Sequence, residues 1–368
     1  MLSLLIVVPA LAAAPTISLA GDFGEPRVIV PAPADARFAH LSWPKVVRAK
    51  DGTLVVAYIA GRFHGNHGEG CPAVSLSTDG GKTFSPPKVL KEYGPNDAQT
   101  AAGNIALGLA DDSAIVMLSM AFKANESHTI DGWRSTDNGK TWQAIDVSKL
   151  AGRTGSVYGH VFNIPGQGLT VVGHFRKGSP TQELGLWMSH SSDHGKTWCE
   201  PRAIAGGRLV EPAFVHAAGR TIGLIRPGNT PPHYMVVASD DAGKTWTKPT
   251  STLKVPEPRF TQLPSPGLFV DPNNPKRLLA LVNQRFPRSK ENALYGQIDL
   301  YSADVKTLDW KKLGTVAKFP ATLRERGDLT YGWMTPTGGK KWFLVFYCGL
   351  HRGANDIYGL EFEVPDDK

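Results

Sequence analysis

Glu211 and Arg226 stand 15 residues apart in "EPAFVHAAGRTIGLIR", and each lies beside a strand-like apolar run. The "AAGR" between those runs is a turn signal, so the two residues fall on neighbouring strands of one hairpin and face one site. A carboxylate and a guanidinium held together can bind an anion, or they can polarise a hydroxyl for attack. A structural ion pair within the hairpin is the plainer alternative. A second group lies in "RFHGNHGEG", which holds Arg62, His64, Asn66, His67 and Glu69. Histidine titrates near neutral pH and serves as acid or base. His67 and Glu69 are therefore candidates for proton transfer, with Arg62 and His64 as candidates for substrate contact. Two histidines three apart are a sparse signal for zinc, and neither a metal nor a cofactor is expected.

These residues need a scaffold, and internal repeats supply it. "STDGGKTF" begins at Ser77, "STDNGKTW" at Ser135, "SSDHGKTW" at Ser191 and "SDDAGKTW" at Ser239; a weakened copy, "SADVKTLDW", begins at Ser302. The starts are 58, 56, 48 and 63 residues apart. Each octet follows a strand-like run such as "LGLWMSHS" or "HYMVVAS", and a Pro-broken extended segment follows it. The octet therefore reads as a hairpin connection whose Asp accepts backbone N–H bonds, whose Gly takes a positive φ and whose Trp or Phe packs back on the strands. Asp79, Asp137, Asp193 and Asp241 are turn carboxylates on this reading.

Further strand-like runs, including "GTLVVAYIAG", "SAIVMLSMAF", "LTVVGHF" and "KWFLVFYCG", fill the intervals, and no segment has a long helical period. About four strands per repeat of ~55 residues is the pattern of a propeller blade. The expected fold is all-β, a β-propeller of six blades with seven as the runner-up. Ligands then bind at the axial mouth, where loops from several blades converge.

The octets resemble the Asp-box, or BNR repeat, of the sialidase superfamily. That resemblance implies boxes on the outer rim and a site built from three arginines that clamp a carboxylate, a tyrosine nucleophile polarised by a glutamate, and an aspartate acid/base. The stretch around Glu211 and Arg226 is similar to the family's glutamate and second arginine. "GDLTYGWM" resembles the last-blade stretch that carries the nucleophile, which makes Tyr331 that residue. "NQRFPRSKENALYG" offers Arg285 or Arg288 as the third arginine, with Arg288 preferred. The chain departs from the family in blade one, where Ser42 in "AHLSWPKVV" stands in the arginine's place and the "RFHGNHGEG" segment contains no aspartate. Tyr158, His160, His174 and Arg176 resemble the set used by propeller-type polysaccharide lyases, in which Tyr or His takes the proton α to a uronate carboxylate. The resemblance implies an exo-glycosidase acting on an acidic sugar, sialic acid or a related ulosonic or uronic acid, at a glycan's non-reducing end. A uronate-directed lyase or a non-catalytic glycan-binding propeller are the alternatives.

The rest of the sequence bounds these choices. The chain has 368 residues, 39 Gly, 28 Pro and a net charge of +7 without any basic tract. That composition suits a loop-rich β protein with an anionic ligand and gives no support to nucleic-acid binding. The apolar start ending in "SLA" at Ala20 reads as a signal peptide over residues 1–20, although its n-region has no Lys or Arg. Residues 21–368 are then one propeller domain, secreted or periplasmic and monomeric, with no stable membrane insertion. Cys71, Cys199 and Cys348 have no CxxC spacing and are expected to be three buried thiols.

Overall fold

The computed structural model describes residues 18–65, 69–124, 127–151, 155–176, 184–228, 231–255, 262–286, 294–323 and 327–367. Apart from one 3₁₀ turn at Ala321–Leu323, the regular structure of these residues is β-strand. No helix in them is long and apolar enough to cross a membrane.

The strands pair into six antiparallel groups of four, the blades of a β-propeller. Each begins with an innermost strand: His40–Arg48, Ala101–Leu109, Gly155–Ile164, Leu209–Ala217, Gly267–Asp271 and Gly327–Gly338 in blades one to six. These six strands pack against one another in order, and the sixth returns to the first. The last blade contributes only three consecutive strands from the C-terminal end. Its fourth is Arg27–Val30, which pairs with Asn355–Glu363 through Arg27 opposite Gly359. The two ends of the chain therefore close the ring.

Apolar runs on the first three strands of each blade bury their side chains between neighbouring blades, which divides the core into several inter-blade clusters. The octets hold those blades at the right spacing. In each, the Ser hydroxyl donates to the Asp and accepts from the Gly N–H, and the Asp accepts the Thr N–H and the Thr hydroxyl; for the third octet these are Ser191, Asp193, Gly195 and Thr197. The residue before the octet glycine is also left-handed, at φ 61° for Asn138, 60° for His194 and 58° for Ala242, a feature the sequence reading assigned to the glycine alone. These four hydrogen bonds offset that strain. The glycines fill a second role. A Cβ on Gly139 of blade two would come within 2.9 Å of Val55 and Leu76 of blade one, and Gly195 and Gly81 meet Val116 and Phe343 of the preceding blade in the same way. Gly139→Ala adds a methyl to a closed interface at φ 91°, and should cost roughly 2–4 kcal/mol in urea denaturation. A loss below about 0.5 kcal/mol would contradict the spacer role.

One expectation changes. Cys71 and Cys348 are buried, but Cys199 is exposed, because it follows Trp198 out of the octet onto the blade edge; none of the three is in a disulfide. Residues 1–17 lie outside the described residues. Leu19, just before the expected cleavage point, is buried, and its carbonyl accepts the Lys318 N–H at 3.1 Å.

Candidate functional site

The innermost strands carry β-bulges near the same end. Register shifts fall between Ser42 and Lys45, between Val210 and Ala213, and between Thr330 and Trp333. Within these bulges Trp43, Glu211 and Tyr331 have φ of 53°, 49° and 55°. Left-handed backbone at three large non-glycine residues is strained, and bulges of this kind re-aim a side chain. Blades one, four and six thus use one device to turn a residue toward the axis. Second strands end at this same mouth. Arg226, near the end of Arg220–Pro227, lies opposite Val210, whereas Ser239, where the fourth octet begins, pairs with Thr221 near the other end of that strand. The octets are therefore on the far edge from the site.

Glu211, Arg226 and Tyr331 converge. Arg226 Nη1 donates to Glu211 Oε2 at 2.9 Å and to Tyr331 Oη at 3.4 Å, and Tyr331 Oη donates to Glu211 Oε2 at 3.5 Å. Ser265 Oγ also donates to Glu211 Oε2. Burial alone would raise the Glu211 carboxyl, but Arg226 and the Ser265 hydroxyl outweigh it and hold the group down at about 2, so it is an anion. Burial and the Glu211 charge push the Tyr331 hydroxyl up, with Arg226 and Arg285 pulling the other way. A neutral phenol thus points its proton at a carboxylate while two guanidinium groups face its oxygen and ring.

The third cation is Arg285, whose guanidinium carbon lies 5.7 Å from the Tyr331 ring centroid. It donates to Asp328 Oδ1 at 3.1 Å and to the Leu329 carbonyl at 2.7 Å. Arg288 and His67 lie outside the described residues. Arg62 and Glu69 form a 2.8 Å ion pair on the surface, and both are about half exposed. His64 instead reaches across the seam between blades one and six, with Nδ1 2.6 Å from Asp328 Oδ2. Ser42 is buried and its hydroxyl approaches only the Ile59 carbonyl, at 3.5 Å; Trp43 holds the bulge position instead. Of the lyase-like set, His174 and Arg176 line the cavity beside Glu211 and Arg226. His160 Nε2 meets the Leu268 carbonyl and its ring packs on Trp333. His174 Nδ1 accepts the Glu211 N–H, and Tyr158 is buried. Burial lowers these histidines to about 4 and about 3, so both are neutral.

Three contributors escaped the sequence reading. Asp328, three residues before Tyr331, was visible only as one acid in an apolar run. Ser265 carries no motif. Lys45 sits fully buried in an innermost strand, with Nζ 4.2 Å from the Tyr158 ring centroid and 4.5 Å from that of Trp333. Burial pulls its ammonium down to about 7 despite the opposing pull of Glu211. The folded form therefore sheds this proton from about pH 7 upward, while the unfolded chain keeps it to about 10.4. Stability should rise with pH across that window by up to ~1.4 kcal/mol per pH unit. In Lys45→Met the slope between pH 7 and 9, followed by urea midpoints, should be lost; an unchanged slope would contradict the assignment.

A cavity of about 310 Å³ opens beside this cluster, lined by His174, Arg176, Leu184, Glu211 and Arg226 among others. The buried Nε atoms of Arg176, Arg226 and Arg285 have no hydrogen-bond partner. Two guanidiniums against one carboxylate leave the pocket net positive.

The family model for the BNR repeat-like domain matches residues 96–346. This chain belongs to the BNR repeat-like family. The fold of this BNR repeat-like protein is the sialidase fold. It aligns with the Hadza microbial sialidase Hz136 at a TM-score of 0.70 and 18% identity, over 93% of this chain and 69% of that one. With the K499G mutant of the NanB sialidase from Streptococcus pneumoniae the values are 0.67 and 12%, over 93% and 71%. A protein of unknown function from Dyadobacter fermentans gives 0.69 and 19%, over 94% of this chain and 99% of that one. Among curated proteins none matches the chain in sequence. Within the BNR repeat-like protein the octets lie at the far edge of the blades from the Glu211, Arg226 and Tyr331 cluster.

Proposed function

We propose that this protein is an exported exo-glycosidase that hydrolyses an acidic sugar from a glycan's non-reducing end. The observation that carries this reading is the convergence of the Tyr331 hydroxyl, the Glu211 carboxylate and the Arg226 guanidinium within 3.5 Å. Tyr331 attacks the anomeric carbon and passes its proton to Glu211, while Arg226 stabilises the developing phenolate. A neutral nucleophile approaches an anionic sugar with less repulsion than a carboxylate does. Arg176, Arg226 and Arg285 supply the positive field for the sugar's acid group. Relatives of the same fold named as sialidases support a sugar of the sialic acid class.

The test is a panel of sialosides, other ulosonic-acid glycosides and uronate-containing polysaccharides, with products read by mass. Products whose summed mass exceeds the substrate by one water are expected. An unsaturated product without water uptake would assign a lyase, and binding without cleavage would assign a glycan-binding propeller.

A further inference from the structure

His64 and Asp328 belong to different blades and meet in a geometry that a surface loop would not need. His64 Nδ1 is 2.6 Å from Asp328 Oδ2, and the second oxygen of that carboxylate, Oδ1, accepts from Tyr347 Oη at 2.9 Å and from Arg285 at 3.1 Å. Asp328 is buried and, against the effect of burial, bonds from His40 and His64 and the Arg285 charge hold it far below the usual carboxylate range. The segment bearing His64 is pinned as well: its N–H donates to the His351 carbonyl at 3.0 Å, and its ring stacks on His351 at 4.9 Å. The opposite contact is with Trp43, 5.0 Å away edge-on, and Trp43 in turn packs against Tyr331 at 6.5 Å. Asp328 fixes the Nδ1–H tautomer and leaves Nε2 on the far side of the ring. His64 is 29% exposed against 2% for Asp328, so part of the ring that Asp328 does not cover is open to solvent.

We propose that His64, oriented by Asp328, is the proton-transfer group of this site. The inference rests on the hydrolase reading above. In the first half-reaction His64 starts doubly protonated, with its Nδ1–H held by Asp328; the bond from the anomeric carbon to the leaving oxygen breaks, that oxygen takes the Nε2 proton, and the ring is left as the neutral Nδ1–H tautomer. The Tyr331 oxygen bonds to the anomeric carbon as its proton moves to Glu211. In the second half a water gives a proton to His64 Nε2 and its oxygen bonds to the anomeric carbon. Tyr331 departs and recovers its proton from Glu211, so the net change is addition of one water. The charged and titratable groups facing His64 are Asp328, His40, His351 and, through Asp328, Arg285; Arg352 lies over the adjacent Phe63. His40, His64 and Asp328 could in principle hold a cation. However, Asp328 already bonds the Arg285 guanidinium, whose charge opposes a second cation at the same carboxylate.

The test compares His64→Gln and Asp328→Asn with wild type on the 4-nitrophenyl and methyl glycosides of N-acetylneuraminic acid and of any sugar the panel identifies. A nitrophenolate leaves without a proton, and a methoxide does not. His64→Gln should lower kcat/KM for the methyl glycoside by about 10²–10⁴-fold. It should leave the nitrophenyl value within about threefold, with a slowed second half-reaction seen as a product burst. Histidine ¹⁵N spectra give a readout independent of turnover: in wild type His64 should keep its Nδ1 proton when Nε2 is deprotonated, and Asp328→Asn should lose that preference. Equal losses on both glycosides would reduce His64 to a structural or binding part. Zinc binding that His64→Gln abolishes, with activity lost to a chelator, would replace the proton-transfer assignment with a metal site. Wild-type turnover unaffected by either substitution overturns the His64 role alone. Absence of wild-type turnover on every glycoside overturns the hydrolase reading with it.

Discussion

Replacing Tyr331 with Phe should lower kcat by at least ~10³-fold while the protein stays folded. The effect is large because the proposed mechanism makes the lost hydroxyl oxygen the nucleophile. Its two hydrogen bonds, at 3.4 and 3.5 Å, are long, so their removal should change stability by no more than about 1 kcal/mol. The phenyl ring keeps its packing against Trp43 and Tyr347. Glu211 keeps its bonds to Arg226 and Ser265, so no buried charge is stranded. A steady-state assay on whichever glycoside the panel identifies, together with a thermal melt, separates the two quantities. Turnover within tenfold of wild type would remove Tyr331 from the chemistry. A melt lowered by more than about 8 °C would mean that the hydroxyl supports the fold.

Much of the architecture was legible because it is local. An octet whose Ser, Asp, Gly and Thr bond one another within seven residues writes its geometry into its own sequence, and four copies disclose the repeat. The Glu211–Arg226 pair was legible for a related reason: a hairpin converts a 15-residue spacing into adjacency. The remaining site contacts are long-range. Asp328 meets His64 across 264 residues, and Ser265 meets Glu211 across 54; no pattern in a single chain marks either pairing. Arg285 was weighed against Arg288 but not chosen, because a strand's last residue and its following loop look alike without the register that places Arg285 opposite Gly296. Ser42 was read as the vacant arginine position; the structure adds a bulge between Ser42 and Lys45 with Trp43 in the left-handed region. Bulges leave little trace when the residue at the left-handed position is not glycine. The strained positions Trp43, Glu211 and Tyr331 are thus the ones where local propensity misleads and where the site is built.

Glu211→Gln should damage both activity and stability, and pH separates the two. Glutamine keeps the shape but cannot take the Tyr331 proton, so kcat should fall by roughly 10²–10⁴-fold. Glu211 is also the ion-pair partner of a guanidinium that is only 16% exposed. Removing one member of such a pair strands the other, at about 3–5 kcal/mol when fully buried and somewhat less at this exposure. The carboxyl is held at about 2 in the fold against about 4.3 in an unfolded chain. A depressed acid of this kind adds its stability above about pH 4.3 and loses it as the pH falls toward 2, an amount of about 3 kcal/mol. The urea midpoints of wild type and Glu211→Gln should therefore stand well apart at pH 7 and draw together between pH 4.3 and 2. The rate defect at pH 7 should persist in urea-free buffer with sulfate added to steady the fold, because restored stability does not restore a base. A stability gap that stays constant through acid would show that Glu211 does not hold its charge through Arg226. A rate that recovers with stability would reduce Glu211 to a structural partner and leave Tyr331 without its base.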